Sequence, residues 1–452
     1  MSVASDWLSR SFALLRPTGD AAAKPGAEAR LPRSTTERLQ ATLRRDPEAL
    51  SPRALRRALT ELQAVVDPRV SEVEGARLAH GFMNWYAEAT PEERRDAWLL
   101  MSEQFAPDAA KVRAAREHYE TALGTPEEGH AEIRLRRAFT SPRTRLLQRF
   151  AGSPDGIRFL VDLRAELLGH LKSDRRLLPL EAELEALFST WFDVAFLELQ
   201  RISWDSPASL VEKLIKYEAV HDIRSWADVK NRLDSDRRCY GFFHPRMPGE
   251  PLIFVEVALM DGIADSITPL LDEAGPVSDL VRATTAIFYS ISNTQAGLKG
   301  VSFGDSLIKH VVETLKAEFP RLKTFATLSP IPGLRLWMQK NAPPELIAAL
   351  EDPLALPPKS PERAQLLAWA ARYLGRELDN GKPLDPVARF HLGNGARVER
   401  LNWAADPSPK GLKQSFGLMV NYLYDPKRLD KHRAMLAQGQ IPISGAIEDL
   451  YG

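Results

Sequence analysis

The chain holds one cysteine, Cys239, in 452 residues, so it can build neither an intramolecular disulfide framework nor a cysteine-rich zinc site. Net charge is missing as well. Lys plus Arg and Asp plus Glu stand at 60 each, which removes any global field toward nucleic acid or an anionic membrane and leaves an anionic ligand to a local site. No apolar run reaches the roughly 18 residues that a membrane span requires. Phosphate signatures are absent: no Gly-Lys-Ser/Thr closes a Walker loop, and no Gly-x-Gly-x-x-Gly follows a strand. There is no His-Glu-x-x-His and no paired cysteine, so no metal is expected. A reducing compartment fits this composition, and cytoplasm is the expected location.

What is present suffices for a large core. Hydrophobic residues make up 44% of the chain, and its length suggests two or three domains. Residues 1–33, with the short amphipathic stretch Asp6 to Arg16, read as an ordinary terminal segment on a loose tether. Residues 34–190 are rich in Ala, Leu, Glu and Arg at helical spacing, with Leu160, Leu163, Leu167 and Leu171 along one candidate helix. Breaks at Ser51-Pro52, Thr90-Pro91, Thr125-Pro126 and Ser153-Pro154 mark helix starts, and four or more helices are expected. The lone Glu127-x-x-His130 is a chance match, since a di-metal bundle needs two such motifs and further Glu on facing helices.

From about Trp191 the pattern changes to β-branched and aromatic runs. Leu252–Leu259, Ala286–Ser292 and Thr324–Leu328 read as strands, and Leu307, Ile308, Val311, Val312 and Leu315 form a helical stripe before the last of them. A short helix is expected within 342–361 and another from Pro361 to Leu378, with later strands over Phe390–Trp403 and Gly417–Tyr424. The fold class is therefore α+β: an all-α helical bundle over 34–190, then a mixed α/β domain over 191–452. His391, between Phe390 and Leu392, falls on an expected strand. Cys239 and Trp403 read as structural.

Between the strand ending near Ser292 and the helix after it, Gly297, Gly300 and Gly304 let the backbone turn tightly and approach a ligand. The helix start favours a phosphate, and Lys299 adds a cation. By composition alone such a loop is more often only a turn.

Two blocks go further. Phe288-Tyr289-Ser290-Ile291-Ser292-Asn293-Thr294-Gln295-Ala296-Gly297-Leu298-Lys299-Gly300-Val301, then Leu307-Ile308-Lys309 and Thr327-Leu328-Ser329-Pro330-Ile331-Pro332-Gly333, form the first. Asp385-Pro386-Val387-Ala388-Arg389-Phe390-His391-Leu392-Gly393-Asn394-Gly395-Ala396, Leu401–Asp406 and Gly417–Tyr424 form the second. In this order they resemble the malonyl-CoA decarboxylase family, over about Trp191 to Tyr424 and more weakly in the helical region. The resemblance implies a helical domain used in oligomer assembly, usually into tetramers, and a catalytic domain of the GNAT acyltransferase fold. It implies a carboxy-lyase that converts malonyl-CoA to acetyl-CoA and carbon dioxide without a cofactor, and the balanced charge adds the expectation of no nucleic-acid or membrane partner. Ser329 and His391 match the catalytic pair, Tyr424 a tyrosine that lines the site, and Lys299, Gly300, Val301, Ser302, Phe303, Gly304 and Asp305 the loop that contacts CoA. Ser302 stands where a member of the family carries Glu, and the terminal Asp449-Leu450-Tyr451-Gly452 lacks the Ser-Lys-Leu peroxisomal address of animal members.

On this reading the Ser329 hydroxyl holds the malonyl carboxylate and His391 protonates the enolate that remains. The competing expectations are an acyl-CoA acyltransferase of the same fold and a non-catalytic CoA-binding scaffold. A Ser329-His391-Asp406 hydrolase is the rival chemistry, but Ser329 lacks the Gly-x-Ser-x-Gly elbow.

Overall fold

A computed structural model describes residues 51–301 and 307–451. The expected terminal segment, the first residues of the helical unit, and Ser302, Phe303, Gly304 and Asp305 lie outside the described residues.

Up to Trp191 the described chain is helical: Pro52–Val66, Glu72–Glu88, Pro91–Gln104, Ala109–Ala122, Glu128–Phe139, Pro142–Gly152, Gly156–Leu168 and Leu178–Trp191 are α-helices. Local chemistry sets their starts. Ser51, Ser71 and Ser141 each accept a backbone N–H three residues on, and Thr90 with Glu93 forms a reciprocal capping box ahead of Pro91. The helix Gly156–Leu168 ends before Leu171, while Leu160, Leu163 and Leu167 are fully buried beside Phe150, Leu184 and Phe188. This core does not stop at the end of the helices: Met247, Leu252, Leu298 and Val301 of the later chain belong to it.

The remainder is a mixed sheet with helices on it, so the architecture is α+β. Its strands are β1 (Glu198–Ile202), β2 (Arg237–Phe243), β3 (Pro251–Met260), β4 (Thr285–Asn293), β5 (Thr324–Thr327), β6 (Ser329–Pro330), β9 (Arg397–Asn402) and β10 (Met419–Leu423); β7 (Leu378–Asp379) and β8 (Lys382–Pro383) form a separate small pair. The order is β1-β2-β3-β4-β5-β10-β6, with β9 on β10. Strands β1 to β4 are antiparallel neighbours, and the helix Leu307–Glu318 returns the chain so that β5 lies parallel to β4. The helix buries Ile308, Val311, Val312 and Leu315 against the sheet.

Two differences from the sequence expectation matter. Strand β2 opens on Arg237 and Arg238 and contains Gly241, which conceals its strand character; all seven of its residues are buried, with Arg238 paired to Glu318 at 2.7 Å and Arg237 to Asp236 at 2.6 Å. The second is a correction. Phe390 and His391 do not begin a strand but sit on the helix Pro386–Gly393, and β9 starts only at Arg397. Asp385 decides this by accepting the N–H groups of Val387 and Ala388 at 2.9 and 3.0 Å, with Pro386 fitting the first helical turn. Ala388, His391 and Leu392 then fall on one buried face at helical spacing.

Candidate active site

The site forms where β4 and β5 part. They pair from Thr285 with Thr324 to Phe288 with Thr327, and the Leu328 N–H donates to the Phe288 carbonyl at 3.0 Å. Beyond that point the chain leaves β4 and keeps β10, already the partner of β5 at Ala326, with Ser329 opposite Val420 and Pro330 opposite Met419. The remaining stretch of β4, Tyr289 to Asn293, keeps only its β3 neighbour, and Tyr289 is an extra residue in that ladder because Phe288 faces Val257 while Ser290 faces Glu256. Such a bulge re-aims the backbone next to an unpaired strand edge.

Asn421, fully buried on β10, secures the divergence. Its amide donates to the carbonyls of Thr327 at 2.7 Å and Ala264 at 3.0 Å, and its oxygen accepts from Asn402 at 2.8 Å. Asp385 secures the facing side. Besides capping the His391 helix, it accepts from the Tyr373 hydroxyl at 3.3 Å and from the Gly333 N–H at 3.4 Å, so one buried carboxylate joins that helix to the Ser-Pro-Ile-Pro-Gly turn. Gly333 must lack a side chain, since a Cβ there would lie 2.2 Å from the Tyr373 hydroxyl. Burial pushes the Asp385 carboxyl up, against the N–H groups that favour its anion.

These supports bring Ser329, His391 and Tyr424 into one line. Ser329 Oγ lies 3.2 Å from His391 Nε2, and His391 Nδ1 lies 2.7 Å from the Tyr424 hydroxyl. Ser329 donates its one proton to Thr327 Oγ1 at 2.8 Å, and Thr327 Oγ1 also accepts the Tyr422 N–H at 3.1 Å. Donor counting then sets the tautomer. With the serine proton committed to Thr327, the contact to His391 requires Nε2–H, which leaves Nδ1 to accept from Tyr424. Burial pushes the imidazole down to about 3, so it is neutral near pH 7, and burial also raises the Tyr424 phenol. The imidazole is stacked on the Tyr422 ring, centroids 4.7 Å apart. Asp406 takes no part: it accepts the Ser408 N–H and lines a different pocket with His221, so the Ser-His-Asp triad does not form.

A cavity of about 210 Å³, lined by Phe288, Ser290, Ile291, Ser329, Phe390 and His391, lies in the gap between the strands. Asn293 and Phe390 also line a larger groove of about 830 Å³, whose wall is the Thr294–Val301 loop and whose cations are Lys299, Lys382 and Arg389. Gly300 has a φ of 82°, which only glycine adopts freely. Lys299 is exposed, whereas the Val301 side chain packs into the helical core, so its part in the groove is largely backbone. Sequence reasoning missed Thr327, Asp385, Asn421 and Tyr422. Asn421 left one trace, a lone amide in an otherwise apolar strand, which demands buried partners.

The malonyl-CoA decarboxylase C-terminal domain model matches residues 195–451 and the malonyl-CoA decarboxylase N-terminal domain model matches residues 105–192. The mitochondrial malonyl-CoA decarboxylase of Anser anser anser is 36% identical over 390 residues, 76% of this chain and 77% of that protein. Among solved structures, the malonyl-CoA decarboxylase of Agrobacterium vitis superposes with a TM-score of 0.80 at 40% identity, covering 88% of this chain and 100% of that one. That of Cupriavidus metallidurans is 44% identical with a TM-score of 0.72, over 88% of this chain and 100% of its own. With matched family models spanning most of its length, the chain belongs to the malonyl-CoA decarboxylase family.

Proposed function

We propose that this enzyme converts malonyl-CoA to acetyl-CoA and carbon dioxide, with Ser329, His391 and Tyr424 at the reacting acyl group and the loop from Lys299 holding CoA. The observation that carries this reading is that Ser329 and His391, with Tyr424 behind the imidazole, border a small cavity that adjoins a cationic, glycine-lined groove.

The chemistry needs an electron sink, and the thioester provides it. The bond between the carboxylate carbon and Cα breaks, its electron pair passes into the thioester as an enolate, and carbon dioxide leaves. Backbone N–H groups on the unpaired edge of β4 around the Tyr289 bulge are the candidate donors to the enolate oxygen, each contributing about 3 kcal/mol if they behave as other oxyanion donors do. When the substrate binds, the Ser329 hydroxyl proton turns from Thr327 to the malonyl carboxylate and orients it so that the breaking bond stands perpendicular to the thioester plane. His391 then transfers its Nε2 proton to the enolate carbon, and the Tyr424 hydroxyl proton at Nδ1 restores the imidazole. A solvent proton entering by the groove reloads Nε2 while the Nδ1 proton passes back to Tyr424, so the starting tautomer is restored and each turnover consumes one proton.

Three further assignments belong to this reading. The helical part, 34–190, serves assembly into a tetramer, the GNAT-type part, 191–452, carries catalysis, and the enzyme works in the cytoplasm. Among the described residues no helix is long and apolar enough to cross a membrane. The decisive experiment supplies purified protein with malonyl-CoA alone and follows both products. Equal amounts of acetyl-CoA and carbon dioxide are expected. Release only on addition of an acyl acceptor would overturn the decarboxylase reading in favour of an acyltransferase, and light scattering tests the tetramer.

A further inference from the structure

The loop assigned to CoA does not stand by itself on the catalytic sheet. It rests on the helix Gly156–Leu168 of the helical part. Arg164, 2% exposed, donates from Nη1 to the carbonyls of Gly297 at 2.6 Å and Lys299 at 2.9 Å, and from Nη2 to Glu181 at 2.6 Å. Arg158, six residues earlier on the same helix, donates to the side chain of Gln295 at 2.8 Å. Between them the helix backbone meets the loop directly: a Cβ on Gly297 would lie 1.9 Å from the Val161 carbonyl oxygen. One helix thus holds Gln295, Gly297 and Lys299 at successive points.

We propose that the helix Gly156–Leu168 is the floor of the CoA loop and that Arg164 is a positioning residue through which the helical part sets affinity for the nucleotide end of the substrate. The proposal rests on the reading that this loop grips CoA. A trans peptide points its carbonyl and the following N–H in opposite directions. With the Lys299 carbonyl drawn to Arg164, the Gly300 N–H turns away from the helix, and Gly300 lines the groove. The left-handed φ of Gly300 and the exposed Lys299 beside it complete a surface of one N–H and one cation facing the groove. The planar guanidinium suits this task because its fork reaches two carbonyls and a carboxylate at once, which a lysine ammonium at the same depth does not reproduce. Arg164 touches no reacting atom. Its effect is confined to the part of the substrate that the loop contacts.

The test compares malonyl-CoA with malonyl-N-acetylcysteamine, a short thioester that lacks the nucleotide. In Arg164→Lys, the KM for malonyl-CoA should rise by about tenfold or more, as expected for losing a charge-assisted bond, with kcat and the kcat/KM of the short thioester within about twofold of the parent. Gly297→Ala, which lifts the loop from Val161 while keeping the Arg164 side chain, should show the same split and takes over the test if Arg164→Lys does not fold. Equal losses on both substrates, or an unchanged KM in both folded variants, would overturn the proposal. Lys299→Ala separates the two levels. If it raises the KM while the other two variants do not, the helix-floor proposal alone fails; if it too leaves the KM unchanged, the CoA reading of the loop fails and takes the proposal with it.

Discussion

The Tyr424 hydroxyl lies 2.7 Å from His391 Nδ1, on the side of the ring away from Ser329, and supplies the proton that Nδ1 accepts when Nε2 carries its own toward Ser329. A tyrosine stands here where hydrolytic triads place an aspartate, but it donates to Nδ1 where the aspartate accepts from it, so the neutral imidazole presents a proton donor at Nε2 and not a base.

Tyr424→Phe removes that donor while preserving the ring. We expect kcat to fall about 10- to 100-fold, the lower part of what a misplaced proton donor costs, with the KM for malonyl-CoA changed little. The buried Nδ1 left without a partner should also destabilise the fold by about 1–3 kcal/mol, measurable by urea unfolding. A variant with parental kcat would remove Tyr424 from the mechanism.

Ser329→Ala and His391→Gln should separate bond cleavage from protonation. Loss of one oriented hydrogen bond at Ser329 predicts a drop of about 100- to 1,000-fold in kcat, and loss of the donor at His391 about 100- to 10,000-fold. In deuterated water the parent should deliver one deuterium per acetyl-CoA formed. Turnover in Ser329→Ala equal to the parent would leave the malonyl carboxylate without its proposed partner.

The depressed basicity of His391 predicts a stability profile. Burial lowers it from 6.5 to about 3, and His221 is likewise lowered to about 4. Between these values and 6.5 the unfolded chain binds protons that the folded one does not, so stability is full above pH 6.5 and declines as the pH falls toward 3. The slope of unfolding free energy against pH over 4 to 6.5 should be shallower in His391→Gln than in the parent, by about one proton at most. Identical slopes would mean that the buried imidazole is not held neutral.

Asp385→Ala tests the joint between the two catalytic segments. Loss of the helix cap predicts about 0.5–2 kcal/mol of destabilisation, with more from the abandoned Gly333 and Tyr373 donors. Because the same carboxylate sets the His391 helix against the Ser329 turn, kcat should fall at least about tenfold even in molecules that remain folded at low temperature. Full activity at 10 °C with a lowered Tm would reduce Asp385 to a stabilising role.

The legible parts were those whose signal lies within a few residues. Helix periodicity around Leu160, the β-branched run of β3 and the glycines before Leu307 each express a local pattern, and each was readable without knowing its neighbours. The Asp385-Pro386 start of the His391 helix was equally local, yet short apolar runs are ambiguous between helix and strand, and the capping signal was outweighed by the pattern around Phe390. Strand β2 was hidden because two arginines read as exposed, whereas Glu318 and Asp236 pair with them in the buried strand.

By itself the sequence determined the division into helices followed by a mixed sheet, the place of the glycine loop, and, through two ordered blocks of residues, the family. Tertiary structure alone decided how these parts act together: Ser329 meets His391 across 62 positions, and Arg164 meets Gly297 across 133. Both contacts depend on where β5 abandons β4 and where one helix lands on a turn. Those outcomes arise from packing the whole core and satisfying buried groups such as Asn421, and no local pattern of side chains encodes them.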